Sequence, residues 1–209
     1  PGDRRGAALR HLHPGDPVSR LRLGLPGGLD RLVRRILEDA GRARPVLLLD
    51  GGSGAGKTSL ARRLAAELAE AGTAGVQVLS LDDIYPGWDG LAQAAALLPG
   101  LLAGEHPAYR QWDWRRDRPG ARREVDPRAP LLVEGCGALT PASAALASTS
   151  MWLAMAPSRR KRLALARGGD GYAPHWQRWA AQERRHWRED HPRELADVQL
   201  HWLSTDGWH

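Results

Sequence analysis

The run Pro45-Val-Leu-Leu-Leu-Asp-Gly-Gly-Ser-Gly-Ala-Gly-Lys-Thr58 decides how this chain is read. Val46 to Leu49 is a continuous apolar stretch of strand length, with Pro before it and Gly after it. A strand buried on both faces of a parallel sheet has that appearance. Beyond the glycines, Lys57 to Ala71 carries Leu60, Leu64 and Leu68 at helical spacing, and Gly72 closes the helix. The order is therefore buried strand, glycine bend, amphipathic helix.

Gly51 to Thr58 fits the pattern G-x-x-x-x-G-K-[ST]. Glycines let the backbone wrap an anion and aim its N–H groups inward, and the helix behind presents its positive end to the same anion. A plain glycine turn ahead of a helix would have no use for a particular cation. Yet of 30 basic residues only Lys57 and Lys161 are lysine, so the identity of residue 57 carries information. The stretch predicts a triphosphate site built from Gly51, Gly52, Ser53, Gly54, Ala55, Gly56, Lys57, Thr58 and Ser59. Lys57 would bridge the outer phosphates from an exposed loop, and the Thr58 hydroxyl would ligate magnesium. ATP and Mg2+ are the expected ligands. A second acid for the metal is found at Glu134, which ends the apolar strand Leu131-Leu-Val133.

Working outward, Leu29 to Ala40 has one apolar helical face, Val76 to Leu81 reads as a second strand and Leu91 to Leu102 as a helix. Residues 103–129 are rich in Pro, Arg, Asp and Trp and show no period, which predicts a functional loop. After the strand ending at Glu134 come a short helix over Pro141 to Ala147 and a strand over Ser150 to Met155. A basic helix over Pro157 to Arg167 breaks at Gly168-Gly169; a helix over Ala173 to Glu189 and a last strand over Ala196 to Leu203 follow. Strands alternating with helices predict an α/β fold: a mostly parallel five-stranded sheet with helices on both faces and a helical lid near 157–172. Residues 1–28 read as an irregular basic segment ahead of a single domain over 29–209.

The formal charge of +6 raises the question of nucleic acid, but the arginines alternate with acids along the chain, as in Arg122-Arg123-Glu124. Nucleic acid is therefore a disfavoured partner, and a triphosphate also needs positive charge. One cysteine, Cys136, excludes an internal disulfide. With no apolar run of membrane-spanning length and no signal-like stretch in 1–28, a cytoplasmic protein is expected. The sequence leaves a homo-oligomer open. Phe is absent and Trp occurs nine times, so stacking falls mainly to Trp.

The second strand runs into Ser80-Leu-Asp-Asp-Ile-Tyr85. An Asp at the end of a central strand can accept a proton from an attacking hydroxyl. Here the chain resembles the uridine kinase-like family of P-loop nucleoside kinases, whose layout phosphoribulokinases and pantothenate kinases share. That family follows its phosphate loop with Ser-x-Asp and an aromatic pair. The resemblance implies Asp82 as general base, with Asp83 and Tyr85 at the acceptor. The family's Tyr-Asp-Phe base pocket is similar to Trp112-Asp113-Trp114, and its strand ending Glu-Gly to Val133-Glu134-Gly135. Its basic lid is similar to the helix bearing Arg159, Arg162 and Arg167. By resemblance, Arg159 reaches the nucleoside while Arg162 and Arg167 clamp the transferring phosphoryl group. The expected His of the base pocket is absent here, replaced by Asp117 or a neighbouring Arg. The implied function is transfer of a γ-phosphoryl group to a hydroxyl of a nucleoside-like small molecule. Two alternatives stay open: a nucleoside monophosphate kinase, with Arg110, Arg115, Arg116 and Arg118 available to hold a substrate phosphate, and a nucleotide-gated ATPase.

Overall fold

In a computed structural model, which describes residues 19–23, 27–41 and 43–202, the apolar run around Leu48 lies inside a six-stranded sheet whose pairings are all parallel. Its strands are Ser19–Leu23 (β1), Val46–Asp50 (β2), Gln77–Ser80 (β3), Leu131–Glu134 (β6), Thr149–Ala154 (β7) and Val198–Trp202 (β8). Their spatial order is β1-β8-β7-β2-β6-β3. Parallel neighbours need crossover connections, and helices supply them. These are Gly28–Ala40 (α1), Lys57–Glu70 (α2), Leu91–Ala103 (α3), Pro141–Ala144 (α4), Pro157–Tyr172 (α5), Trp176–Glu189 (α6) and Pro192–Leu195 (α7).

Every residue of β2 and β6 is buried, which is why both read as unbroken apolar runs. Alternate residues of β2 serve opposite layers. Leu47 and Leu49 pack with Leu32, Ile36, Leu60, Leu64 and Leu68 of α1 and α2. Val46 and Leu48 pack with Leu98 and Leu101 of α3 and Trp179 of α6. Side chains alternate across a strand, so one short stretch nails both layers together.

The sheet has six strands rather than five because Ser19–Leu23 pairs with β8, from Ser19 opposite Val198 to Leu23 opposite Trp202. Its sequence, Ser-Arg-Leu-Arg-Leu, alternates as an edge strand should, with Arg20 and Arg22 exposed and Leu23 buried. Flanking Gly and Pro hide that short alternation. Residues 1–18, 24–26 and 203–209, with much of the expected irregular segment and the end of the expected last strand, lie outside the described residues. The stretch expected as loop over 103–129 contains an antiparallel hairpin, Ala108–Asp113 (β4) and Arg118–Glu124 (β5). β5 is largely exposed and β4 only partly buried, so no apolar period marks them. The basic helix does not end at Gly168. It runs to Tyr172 with a kink at Gly169, whose φ of 54° and ψ of −150° suit glycine. Among the described residues no helix is long and apolar enough to cross a membrane.

Candidate functional site

The glycine bend sits at the carboxyl end of β2, flanked by the ends of β3 and β6, the edge of the sheet where parallel α/β folds place their ligands. Lys57 is buried, not exposed. Its Nζ donates to Gly51 O at 2.7 Å and Gly52 O at 3.3 Å, and lies 3.4 Å from Cys136 Sγ. Burial works against the ammonium, but Cys136, Glu134, Asp50 and Glu183 outweigh it and raise its pKa. Thr58 and Glu134, the two residues expected at the metal, lie side by side. Thr58 Oγ1 donates to Glu134 Oε1 at 2.9 Å, and Ser80 Oγ donates to the same oxygen at 2.7 Å. Among the described residues no cluster of three or more His, Cys, Asp or Glu could cage a metal. A hydroxyl beside one carboxylate suits Mg2+, which keeps water and substrate phosphate in most of its coordination sphere.

Helices α5 and α6 close over the loop. Arg160 is buried; its Nη1 donates to Ser53 O at 3.0 Å and Glu183 Oε2 at 3.4 Å, and its guanidinium lies 5.3 Å from the centre of the Trp187 ring. Glu183 Oε1 in turn accepts the Ser53 N–H at 2.6 Å. A Cβ on Gly52 would collide with the Arg160 guanidinium, and one on Gly54 (φ 79°) with the Arg160 carbonyl. The glycines thus admit α5 as well as an anion. Below the loop, Asp50 is fully buried and accepts N–H groups of Gly51 at 2.6 Å, Gly137 at 3.1 Å and Leu139 at 2.9 Å. His186 of α6 places Nε2 3.1 Å from Asp50 Oδ2 and Nδ1 2.8 Å from Asp190 Oδ2. Burial disfavours the imidazolium, but Asp50 and Asp190 outweigh it and raise its pKa.

On the other side of Ser53 a cavity of about 500 Å³ opens. Asp82, Asp83 and Arg167 line it, with the rings of Tyr85, Trp88, Trp114, Tyr172 and Trp179. Trp114 Nε1 donates to Asp82 O at 2.8 Å, Gln111 Nε2 to Asp83 Oδ1 at 2.9 Å, and Tyr85 Oη to Cys136 O at 2.7 Å. Burial pushes the Tyr172 hydroxyl up to about 12. The structure thus brings Asp82, Asp83, Tyr85, Trp114 and Arg167 together around one cavity. Trp112, Asp113, Arg159 and Arg162 are not in the lining. Asp113 instead caps the hairpin turn, accepting from the backbone of Arg115 at 3.1 Å and Arg116 at 3.2 Å and pairing with the Arg116 side chain at 2.9 Å. Arg162 is exposed on α5. None of Arg110, Arg115, Arg116 and Arg118 lines the cavity.

No protein-family model matches the chain, and no curated protein matches it by sequence. Solved structures do match by shape. A candidate fructose transport system kinase from Silicibacter sp. TM1040 aligns at TM-score 0.54 and 22% identity, over 82% of this chain and 98% of its own. A candidate uridine kinase from Bacillus stearothermophilus aligns at TM-score 0.58 and 19% identity, over 82% of this chain and 96% of its own. The chain shares the α/β fold of these two structures.

In that fold Arg160, Glu183, His186 and Cys136 surround the loop, and Trp88, Tyr172 and Trp179 wall the cavity; none was among the site residues expected from sequence. One signal was available. Trp179, Glu183 and His186 follow one another by four and then three residues, a single helical face that carries an acid and an imidazole where apolar groups are usual.

Proposed function

We propose that this chain is an ATP-dependent phosphotransferase that moves the γ-phosphoryl group to the hydroxyl of a small, unphosphorylated acceptor of nucleoside size or less. The observation that carries the reading is that Ser53 of the glycine loop and Asp82 after β3 line one cavity, so an anion nest and a carboxylate share a wall. The donor triphosphate would lie along residues 51–59. Asp82 would orient the acceptor hydroxyl and take its proton. Arg167 would face the charge spreading over the transferring group, with Lys57 turned outward from its loop carbonyls to join it. Thr58 and Glu134 would hold Mg2+, whose charge offsets that of the phosphates. Cover by α5 keeps out water, which competes as nucleophile. Arg159 and Arg162 receive no role. A phosphorylated acceptor is disfavoured because the four arginines of the hairpin region stay out of the cavity.

The test is a coupled ADP-release screen over nucleosides, nucleoside monophosphates and small hydroxylated metabolites. Asp82→Asn should lower turnover at least about a hundredfold while Mg-ATP still binds. An Asp82→Asn protein with unchanged turnover removes Asp82 as the base, and a wild-type chain indifferent to Mg-ATP ends the kinase reading.

A further inference from the structure

The cavity beside Ser53 has an aromatic wall of a particular shape. Trp88 is its hub, with ring centroids 4.9 Å from Trp114, 5.4 Å from Tyr172 and 6.5 Å from Trp179. His175 stacks on Trp88 at 4.2 Å and 9° and fixes that ring in place. The rings in the wall are inclined to one another: 58° between Trp88 and Trp114, 37° between Trp88 and Tyr172, 84° between Trp88 and Trp179. Tyr85 meets Trp179 at 68°. Inclined faces make a box that encloses a rounded group, whereas a planar base is best held in a slot of parallel faces. Charge points the same way. Asp82 and Asp83 against Arg167 leave the lining net negative, and electron-rich ring faces attract a cation. Groups that read the edge of a base are scarce: the lining holds no Asn, Gln or His, and the Tyr85 hydroxyl is committed to Cys136 O. Trp179 in the same wall is buried, and its indole N–H has no hydrogen-bond partner among the described residues.

We propose that the phosphoryl acceptor is a hydroxylated organic cation, an amino alcohol or quaternary ammonium alcohol, held with its ammonium group among the rings and Asp83 and its hydroxyl at Asp82. This rests on the kinase reading above. The alcohol oxygen bonds to the γ-phosphorus of Mg-ATP as its proton passes to Asp82. The bond from that phosphorus to the β,γ-bridging oxygen breaks, giving a phosphate ester and ADP.

The test titrates the full chain, followed by tryptophan fluorescence, with two pairs of alcohols that differ in charge: choline against dimethylbutanol, in which carbon replaces the ammonium nitrogen, and ethanolamine against propanol. At least one cation should bind about tenfold or more tightly than its neutral partner. Trp114→Leu, at a partly exposed ring, and Asp83→Asn should each remove most of that preference, weakening the cation's binding several-fold more than the neutral partner's. With Mg-ATP, the preferred cation should release ADP faster than its partner, uridine or fructose. Equal binding within both pairs overturns the inference. So does a charge preference without ADP release, or faster release with uridine or fructose. Mg-ATP titration is the separate readout for the kinase reading. A chain that binds Mg-ATP but favours neutral alcohols keeps that reading and loses this one.

Discussion

Glu134 shows how one side chain at a strand end can serve fold and chemistry at once. Its Oε1 accepts two hydroxyls, from Thr58 and Ser80, and so ties the ends of β2's helix, β3 and β6 together. An amide keeps that carbonyl-type acceptor but loses the charge a divalent cation requires. Glu134→Gln should therefore melt within a few degrees of the wild type, yet need on the order of tenfold more Mg2+ for half-maximal ADP formation. A magnesium titration at saturating ATP checks this; an unchanged midpoint would remove Glu134 from the metal's surroundings. Lys57 was legible as a residue type because lysine is so rare here, but its burial was not. The ammonium is met there by carbonyls of its own loop and by carboxylates of β2, β6 and α6, which lie far apart in sequence.

At the scale of elements, the meeting of α5 with the glycine loop is the contact that most needs its local sequence. Gly54 has a φ of 79° and backs onto the Arg160 carbonyl, so a methyl group there is strained and also pushes α5 away. Gly54→Ala should cost about 1–3 kcal/mol in urea unfolding and make residues near Gly169 easier to cleave by protease. Unchanged stability and cleavage would show that α5 does not depend on the loop for its position. The loop, β2, α2 and α3 were legible because burial imposes a period or a run on each. The β4–β5 hairpin was not, since β5 is exposed, β4 only partly buried, and the pairing is set by their own ladder and the Asp113 turn. The aromatic box was half legible: Tyr85 and Trp114 follow from the motif order. Trp88, Tyr172 and Trp179 arrive from other elements, and Trp112, two residues before Trp114, stays outside.

Across the whole molecule, stability depends on pH through two histidines with opposite shifts, His186 where α6 meets β2 and His201 on β8. His186 has its pKa raised above 6.5 by Asp50 and Asp190 against the effect of burial. A raised folded pKa contributes stability that is complete below the unfolded value and is lost as pH climbs through the folded value. His201 on β8 has its pKa lowered below 6.5 by burial and by Arg193, Arg20 and Arg22, so its contribution is complete above that value and is lost as pH falls. The two limbs give greatest stability near pH 6.5, the shared reference of both groups. The acid limb belongs to His201, which is partly open, and the alkaline limb to His186, buried between two carboxylates. Its depth is about 1.4 kcal/mol for each unit by which the folded pKa of His186 exceeds the unfolded one. His186→Gln removes the titrating ring, so urea midpoints should be lower near pH 6.5 and nearly level from there upward. His201→Gln should keep the alkaline fall and soften only the acid one. If His186→Gln retains the wild-type decline above neutrality, the proton lost there does not belong to the bridge between α6 and the loop strand.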